Sequence, residues 1–247
     1  MYNFFVDSNN KKDNRYFISG ADFNHIKNVL RMNIGEEFLV SCNGNSDLCR
    51  VQCIQSDTVI AEIIEQNYQN TNLPIKIHLF QGLPKSDKLE LIIQKAVELG
   101  ACSVTPVAMK RSIVKIDEKK KKSKAERWQA IATAAAKQSK RSFVPEVHNI
   151  LSYKEMLTAT KDLDLLLVPY ECADGMNATK QALSEIKSGM AGGILIGPEG
   201  GFEPGEIDAA WDAGGKIISL GSRILRCETA AITAMSMCML YSEMNLE

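Results

Sequence analysis

Three stretches place small and charged residues just after runs that read as buried strands. They are Val168-Pro169-Tyr170-Glu171, Ile196-Gly197-Pro198-Glu199-Gly200-Gly201-Phe202, and Leu220-Gly221-Ser222-Arg223-Ile224-Leu225-Arg226-Cys227-Glu228-Thr229-Ala230. Ligands of open α/β sheets bind outside the carboxyl ends of the strands, so these junctions are the default site. Glycines there let backbone groups approach a flat ligand closely. The second stretch is wrong for phosphate: Pro198 lacks a donor N–H, and the Glu199 carboxylate would repel an anion. Neither G-x-x-x-x-G-K-[ST] nor G-x-G-x-x-G occurs in this region, which argues against a nucleotide phosphate cradle. A neutral or cationic adenosine-like cofactor suits the loops better.

Two patterns of hydrophobicity must position these loops. In the first 70 or so residues, short apolar runs and alternating segments at 2–6, 37–41, 48–54 and 58–64 read as strands, with a turn at Asn43-Gly44-Asn45 and a short helix over 21–30. A small β-barrel module over residues 1–72 is expected, with 67–74 as linker. Residues 73–247 alternate strands with helices instead. Strands are expected at 75–80, 104–108, 163–168, 193–196 and 216–220, and helices at 118–139, 207–213 and 228–243. Another helix should begin at Asp87, with Glu90 at the capping-box position, and end at Gly100. This βα alternation predicts an α/β domain with a parallel sheet.

Net charge is −1, from 29 basic and 30 acidic residues, which by itself argues against a polyanionic partner. The charge is uneven, however. Residues 1–72 carry −3, residues 73–141 carry +10, and residues 142–247 carry −8. The middle segment has the electrostatic footprint of an anion-binding surface, masked in the total. The run from Lys119 to Lys124 alone reads equally well as solvated surface.

Seven cysteines, an odd number, fit reduced cytosolic thiols better than a disulfide framework. Cys42, Cys49 and Cys53 lack C-x-x-C spacing and the three histidines are scattered, so no metal site is expected. The longest apolar stretch, 230–241, is too short to span a bilayer. A cytoplasmic protein without a membrane segment is expected.

The second and third stretches closely resemble the RsmE family, the 16S rRNA uracil-N3 methyltransferases of the SPOUT class. The likeness extends to Leu83-Pro84-Lys85-Ser86-Asp87-Lys88, Gln94-Lys95-Ala96-Val97-Glu98-Leu99-Gly100, Arg111-Ser112, Arg127-Trp128 and Gln138-Ser139-Lys140-Arg141. Phe4-Phe5-Val6 and His25 to Met32 look like the PUA-like module of that family. Departures are Cys227 where Thr is usual, Lys88 where Arg is usual, and Lys140 in the Gln-Ser-x-Arg stretch.

The resemblance implies a SPOUT methyltransferase fold with a C-terminal trefoil knot, an exception to the no-threading rule. It implies S-adenosylmethionine bound by Val168, Pro169, Glu171, Ile196, Gly197, Pro198, Glu199, Gly200, Gly201, Leu220, Gly221, Ile224, Leu225, Thr229 and Ala230. It also implies a homodimer with active sites at the subunit interface, acting on 16S rRNA in the small ribosomal subunit. For the chemistry, Arg226 is the choice to stabilise the anionic base. Glu228 is a candidate general base, or an orienter of Arg226, or only a carboxylate serving the helix dipole. Arg31, Lys85, Lys88, Lys95, Arg111, Arg127 and Arg141 would hold RNA backbone. Trp128 either stacks on a base or packs the core. A tRNA or another rRNA site, or a non-catalytic assembly factor, are the competing readings.

Overall fold

The computed structural model describes residues 1–85, 87–113, 118–173 and 175–246, without the side chains of 118–120. Ser86, within the family-like pattern, therefore lies outside the described residues, as do the side chains of Lys119 and Lys120. The chain divides into two compact units.

The first unit is Met1–Asn72 with Ala136–Val144. Its strands are β1 (Asn3–Phe5), β2 (Lys11–Lys12), β3 (Arg15–Ser19), β4 (Glu37–Cys42), β5 (Asn45–Ile54) and β6 (Thr58–Glu65), in the order β1-β4-β5-β6-β3-β2. Only β1–β4 is parallel. The sheet curls around one core that includes Phe4, Ile18, Ile26, Phe38, Val40, Val51, Val59 and Ala61. Alternation in β6 sends Val59, Ala61 and Ile63 inward, as a one-sided sheet requires. The helix expected over 21–30 is divided: α1 (Gly20–Asn24) gives way to a π turn at His25–Val29, where Leu30 N–H donates to His25 C=O at 2.8 Å. Ile26 is thereby buried while Val29 stays exposed. The hairpin of β2 and β3 escapes the sequence reading because Lys11-Lys12 carries no hydrophobic signal. Buried Asp47 is paid for locally, accepting from Tyr16 Oη (2.8 Å), Asn67 N–H (2.9 Å) and Lys11 Nζ (3.1 Å).

The second unit is Leu73–Ala135 with Pro145–Glu247. It contains β7 (Lys76–Gly82), α2 (Lys88–Glu98), β8 (Ala101–Ala108), most of α3 (Glu118–Gln138), β9 (Glu146–Val147), β10 (Leu151–Ser152), α4 (Tyr153–Ala159), β11 (Leu165–Pro169), α5 (Asn177–Ser184), β12 (Ala191–Ile196), α6 (Pro204–Asp212), β13 (Lys216–Ile218) and α7 (Cys227–Asn245). The sheet order is β10-β8-β7-β12-β11-β13, with β9 also on β8, and every pair is parallel. The continuous apolar runs follow from burial on both faces: Leu165 to Pro169 are all buried.

Helix α2 buries Leu89, Ile92, Ile93, Ala96 and Val97 and packs against α7. Gly100 ends it at φ +96°, a conformation only glycine adopts freely. The capping box expected at its start does not form. Asp87 makes no side-chain cap, and the Glu90 carboxylate is taken by Arg127 at 2.7 and 2.8 Å. Trp128 is buried, which places it in packing and not on a base. Helices α4 and α5 and the short strands β9 and β10 are additions to the sequence reading. Among the described residues no helix is long and apolar enough to cross a membrane.

Candidate cofactor and catalytic site

A cavity of about 590 Å³ opens at the carboxyl ends of β11, β12 and β13, a volume ordinary for a small-molecule site. Of the residues expected to hold a cofactor, Pro169, Glu171, Ile196, Gly197, Pro198, Glu199, Gly201, Leu220, Gly221, Ile224, Leu225 and Ala230 line it. Three do not. Val168 is sealed in the sheet. Gly200 faces the other way, where a Cβ would meet Arg111 Cβ at 3.0 Å and its carbonyl oxygen at 3.1 Å. Thr229 is exposed on α7. Ala173, Gly175 and Met176 complete the wall after β11 and were missed, since that turn carries one isolated glycine and no run. Tyr170, Phe202, Ser219, Ser222, Arg223 and Cys227 also line it.

The Gly-rich loop after β12 is pinned from several sides. Gly82, at the end of β7, leaves room for Pro198. Gly201, at φ +69°, turns the chain so that its N–H donates to Pro198 C=O at 2.9 Å. The Phe202 ring packs edge-on against Tyr170 and occupies the place a Cβ on Gly197 would approach at 3.1 Å. Pro204 then opens α6, whose buried Glu206 accepts from Glu203 N–H (2.9 Å) and Lys110 N–H (3.0 Å). Arg111 Nη1 donates to Gly200 C=O at 3.2 Å.

Four charged or polar side chains meet here, together with one backbone amide. Glu199 accepts Lys85 N–H at 2.9 and 3.2 Å, and Lys88 Nζ lies 3.2 Å from Glu199 Oε1 and 3.3 Å from Glu228 Oε2. The Cys227 thiol donates to Glu228 at 3.2 Å. Burial opposes ionisation of Glu199, but the Lys85 and Glu199 amides and Lys88 outweigh it and hold the carboxyl below its usual range. Glu228 is also held low: its own amide, Cys227 and Lys88 overcome burial. Burial, then Glu228, pushes the Cys227 thiol up to about 12, so it serves as a donor and not as a thiolate.

Arg226 is the exposed N-cap residue of α7. Among the described residues no carboxylate engages its guanidinium. Glu228 is thus occupied by Lys88 and Cys227 and does not orient Arg226. The cations expected to hold RNA differ in availability. Arg31 and Lys85 are exposed, and the exposed Arg111 reaches Gly200. Lys88 is held between carboxylates, Lys95 pairs with Glu98, and Arg127 with Glu90. Arg141 is only 3% exposed, lies within the first unit over the Phe143 ring, and is a packing residue, correcting the expectation that it meets phosphate.

The lining fits S-adenosylmethionine. The wall combines apolar Ile196, Leu220 and Leu225 with glycine loops and with the opposite charges of Glu171 and Arg223, a mixture of apolar and charged groups suited to such a ligand. Residues 71–239 match the RNA methyltransferase domain family and residues 18–64 the RNA methyltransferase PUA domain family. The chain is 40% identical over 225 residues to ribosomal RNA small subunit methyltransferase E of Bacillus subtilis, covering 90% of this chain and 88% of that protein. It is 34% identical to the protein of the same name from Mesomycoplasma hyopneumoniae, covering 96% and 99%. The crystal structure of the Neisseria gonorrhoeae protein of that name, bound to S-adenosyl methionine, superposes with a TM-score of 0.80 at 28% identity, covering 96% of each chain. The chain belongs to the family of RNA methyltransferases whose members include ribosomal RNA small subunit methyltransferase E.

Proposed function

We propose that this protein methylates N3 of a specific uridine in 16S rRNA of the small ribosomal subunit, using S-adenosylmethionine. The single observation that carries the reading is the cavity built by three strand-end loops, with the exposed Arg226 at the adjoining start of α7. The cofactor, when bound, supplies an electrophilic methyl on a sulfonium. The protein must then position uracil N3 and help it lose a weakly acidic proton. Arg226 presents a planar, permanently charged fork to a ring oxygen and stabilises the anionic base. Glu228 is a poor general base, because Lys88 and Cys227 stabilise its carboxylate form and so weaken its pull on a proton. Activation therefore rests on Arg226, on positioning and on loss of the N3 proton to solvent water before the ring nitrogen displaces the sulfonium. The target base must be single-stranded or unstacked to reach the site. The PUA unit would contact rRNA near Arg31, and exposed Lys85 and Arg111 would hold phosphates. The resemblance further supports a trefoil knot around the cofactor loops and a cytoplasmic homodimer.

The test is to incubate the protein with S-adenosylmethionine and with small subunits, naked 16S rRNA or tRNA, then map N3-methyluridine. Product at one 16S position is expected. Product confined to tRNA contradicts the reading.

A further inference from the structure

Lys88 joins three segments far apart in sequence. It opens α2, Glu199 belongs to the Gly-rich loop after β12, and Glu228 lies in the first turn of α7. One ammonium lies 3.2 Å from the first carboxylate and 3.3 Å from the second. The side chains of Lys88, Glu199 and Glu228 are 31%, 23% and 16% exposed, so solvent screens their interaction less than at an open surface. Without the cation, two carboxylates would share a confined space, and like charges there repel. The other donors to the cluster cannot substitute. The Lys85 N–H serves only Glu199 and the Cys227 thiol only Glu228.

We propose that Lys88 is a positioning residue for methyl transfer: by bridging Glu199 and Glu228 it holds the Gly-rich cofactor loop and the Arg226-bearing start of α7 in one fixed geometry. This rests on the methyltransferase reading. It takes Lys88 out of the set of phosphate contacts. It also makes the Glu199 carboxylate an anchor of the loop, with the loop's backbone left to face the cofactor. Small displacements of positioning groups cost large factors in rate, about 100-fold for roughly 1 Å. Arg at this position carries a fork that can serve two carboxylates at once, so it should substitute. Met keeps the length and loses the charge.

The test compares Lys88→Met and Lys88→Arg in the full chain. S-adenosylmethionine affinity is read by calorimetry, and kcat, KM for RNA and the salt dependence of RNA binding are read on small subunits. Lys88→Met is expected to lower kcat by about 10- to 100-fold and to weaken cofactor binding, with KM for RNA and the salt slope unchanged. Lys88→Arg should recover most of both losses. In the double variant with Glu199→Gln, the two losses should be less than multiplicative, because one interaction is removed twice. Wild-type kcat and cofactor affinity in Lys88→Met overturn the proposal. So does a loss confined to RNA affinity with a shallower salt slope, which would make Lys88 a phosphate contact. If Lys88→Met does not fold, failure of Lys88→Arg to sustain activity in a folded protein overturns it instead. Absence of N3-methyl product from the wild-type protein contradicts the methyltransferase reading, while the calorimetric comparison still decides the role of Lys88.

Discussion

Gly82 and Pro198 are packed so closely that no side chain fits between them: a Cβ on Gly82 would lie 2.6 Å from the Pro198 nitrogen and 2.7 Å from its Cδ. The end of β7 thereby sets the position of the cofactor loop. Gly82→Ala should push Pro198 outward, cost about 1–3 kcal/mol in stability and weaken S-adenosylmethionine binding by about tenfold or more, or at least ~1.4 kcal/mol. Thermal melts and calorimetry check this. Unchanged cofactor affinity would show that the contact does not position the loop.

Arg226→Ala should leave the melting temperature and the affinity for S-adenosylmethionine near those of the wild type, since the side chain is exposed and lies outside the cavity wall. Turnover should fall by about 100- to 1000-fold, the usual cost of losing a preorganised electrostatic group. Single-turnover rates with saturating cofactor provide the readout.

Asp47 makes the first unit sensitive to acid. Burial alone would raise its pKa, but the Asn67 N–H, the Tyr16 hydroxyl and Lys11 outweigh burial and hold it below the ordinary value. A carboxyl whose folded pKa is depressed contributes stability above its unfolded value, about 4, and loses it as pH falls through the folded value. Asp47→Asn should therefore destabilise the protein at neutral pH, by about 1.5–3 kcal/mol for hydrogen bonds to a charged group. The gap to wild type should narrow as pH falls below about 4. Melts across pH 3–7, a window set around that carboxyl range, would detect it.

Lys85 and Arg141 should separate phosphate contact from packing. Lys85→Ala retains the backbone N–H that Glu199 accepts, so cofactor affinity should persist while the slope of RNA affinity against salt becomes shallower by about 1. Arg141→Ala removes a buried side chain and should lower stability by about 1–3 kcal/mol with the salt slope intact. Fluorescence anisotropy over a salt series, with melts, distinguishes the two.

The strand-end loops were legible because glycine, proline and charge cluster in runs after apolar strands, and the cavity forms where those runs meet. What escaped was pairing between distant segments. Glu90 sits three residues after Asp87 as a capping box requires, yet its carboxylate is claimed by Arg127, a partner 37 residues away. Lys88 reads as a phosphate contact from composition, and only the fold brings Glu199 and Glu228 to it. The turn holding Ala173, Gly175 and Met176 carries too little glycine to signal a wall. Arg141 gives no local sign of burial, because the donors to its backbone carbonyl, Asn3 and Ser41, are distant in sequence and reach it only through the tertiary fold.

Mapping N3-methyluridine on 16S rRNA after incubating the purified protein with S-adenosylmethionine and small subunits that lack the modification decides whether this protein carries out the methyl transfer. One modified uridine in 16S rRNA, absent when Arg226→Ala replaces the wild type, is the expected result. No N3-methyluridine in 16S rRNA would refute the methyl transfer, and equal yield from Arg226→Ala in single-turnover time courses would refute the role of Arg226.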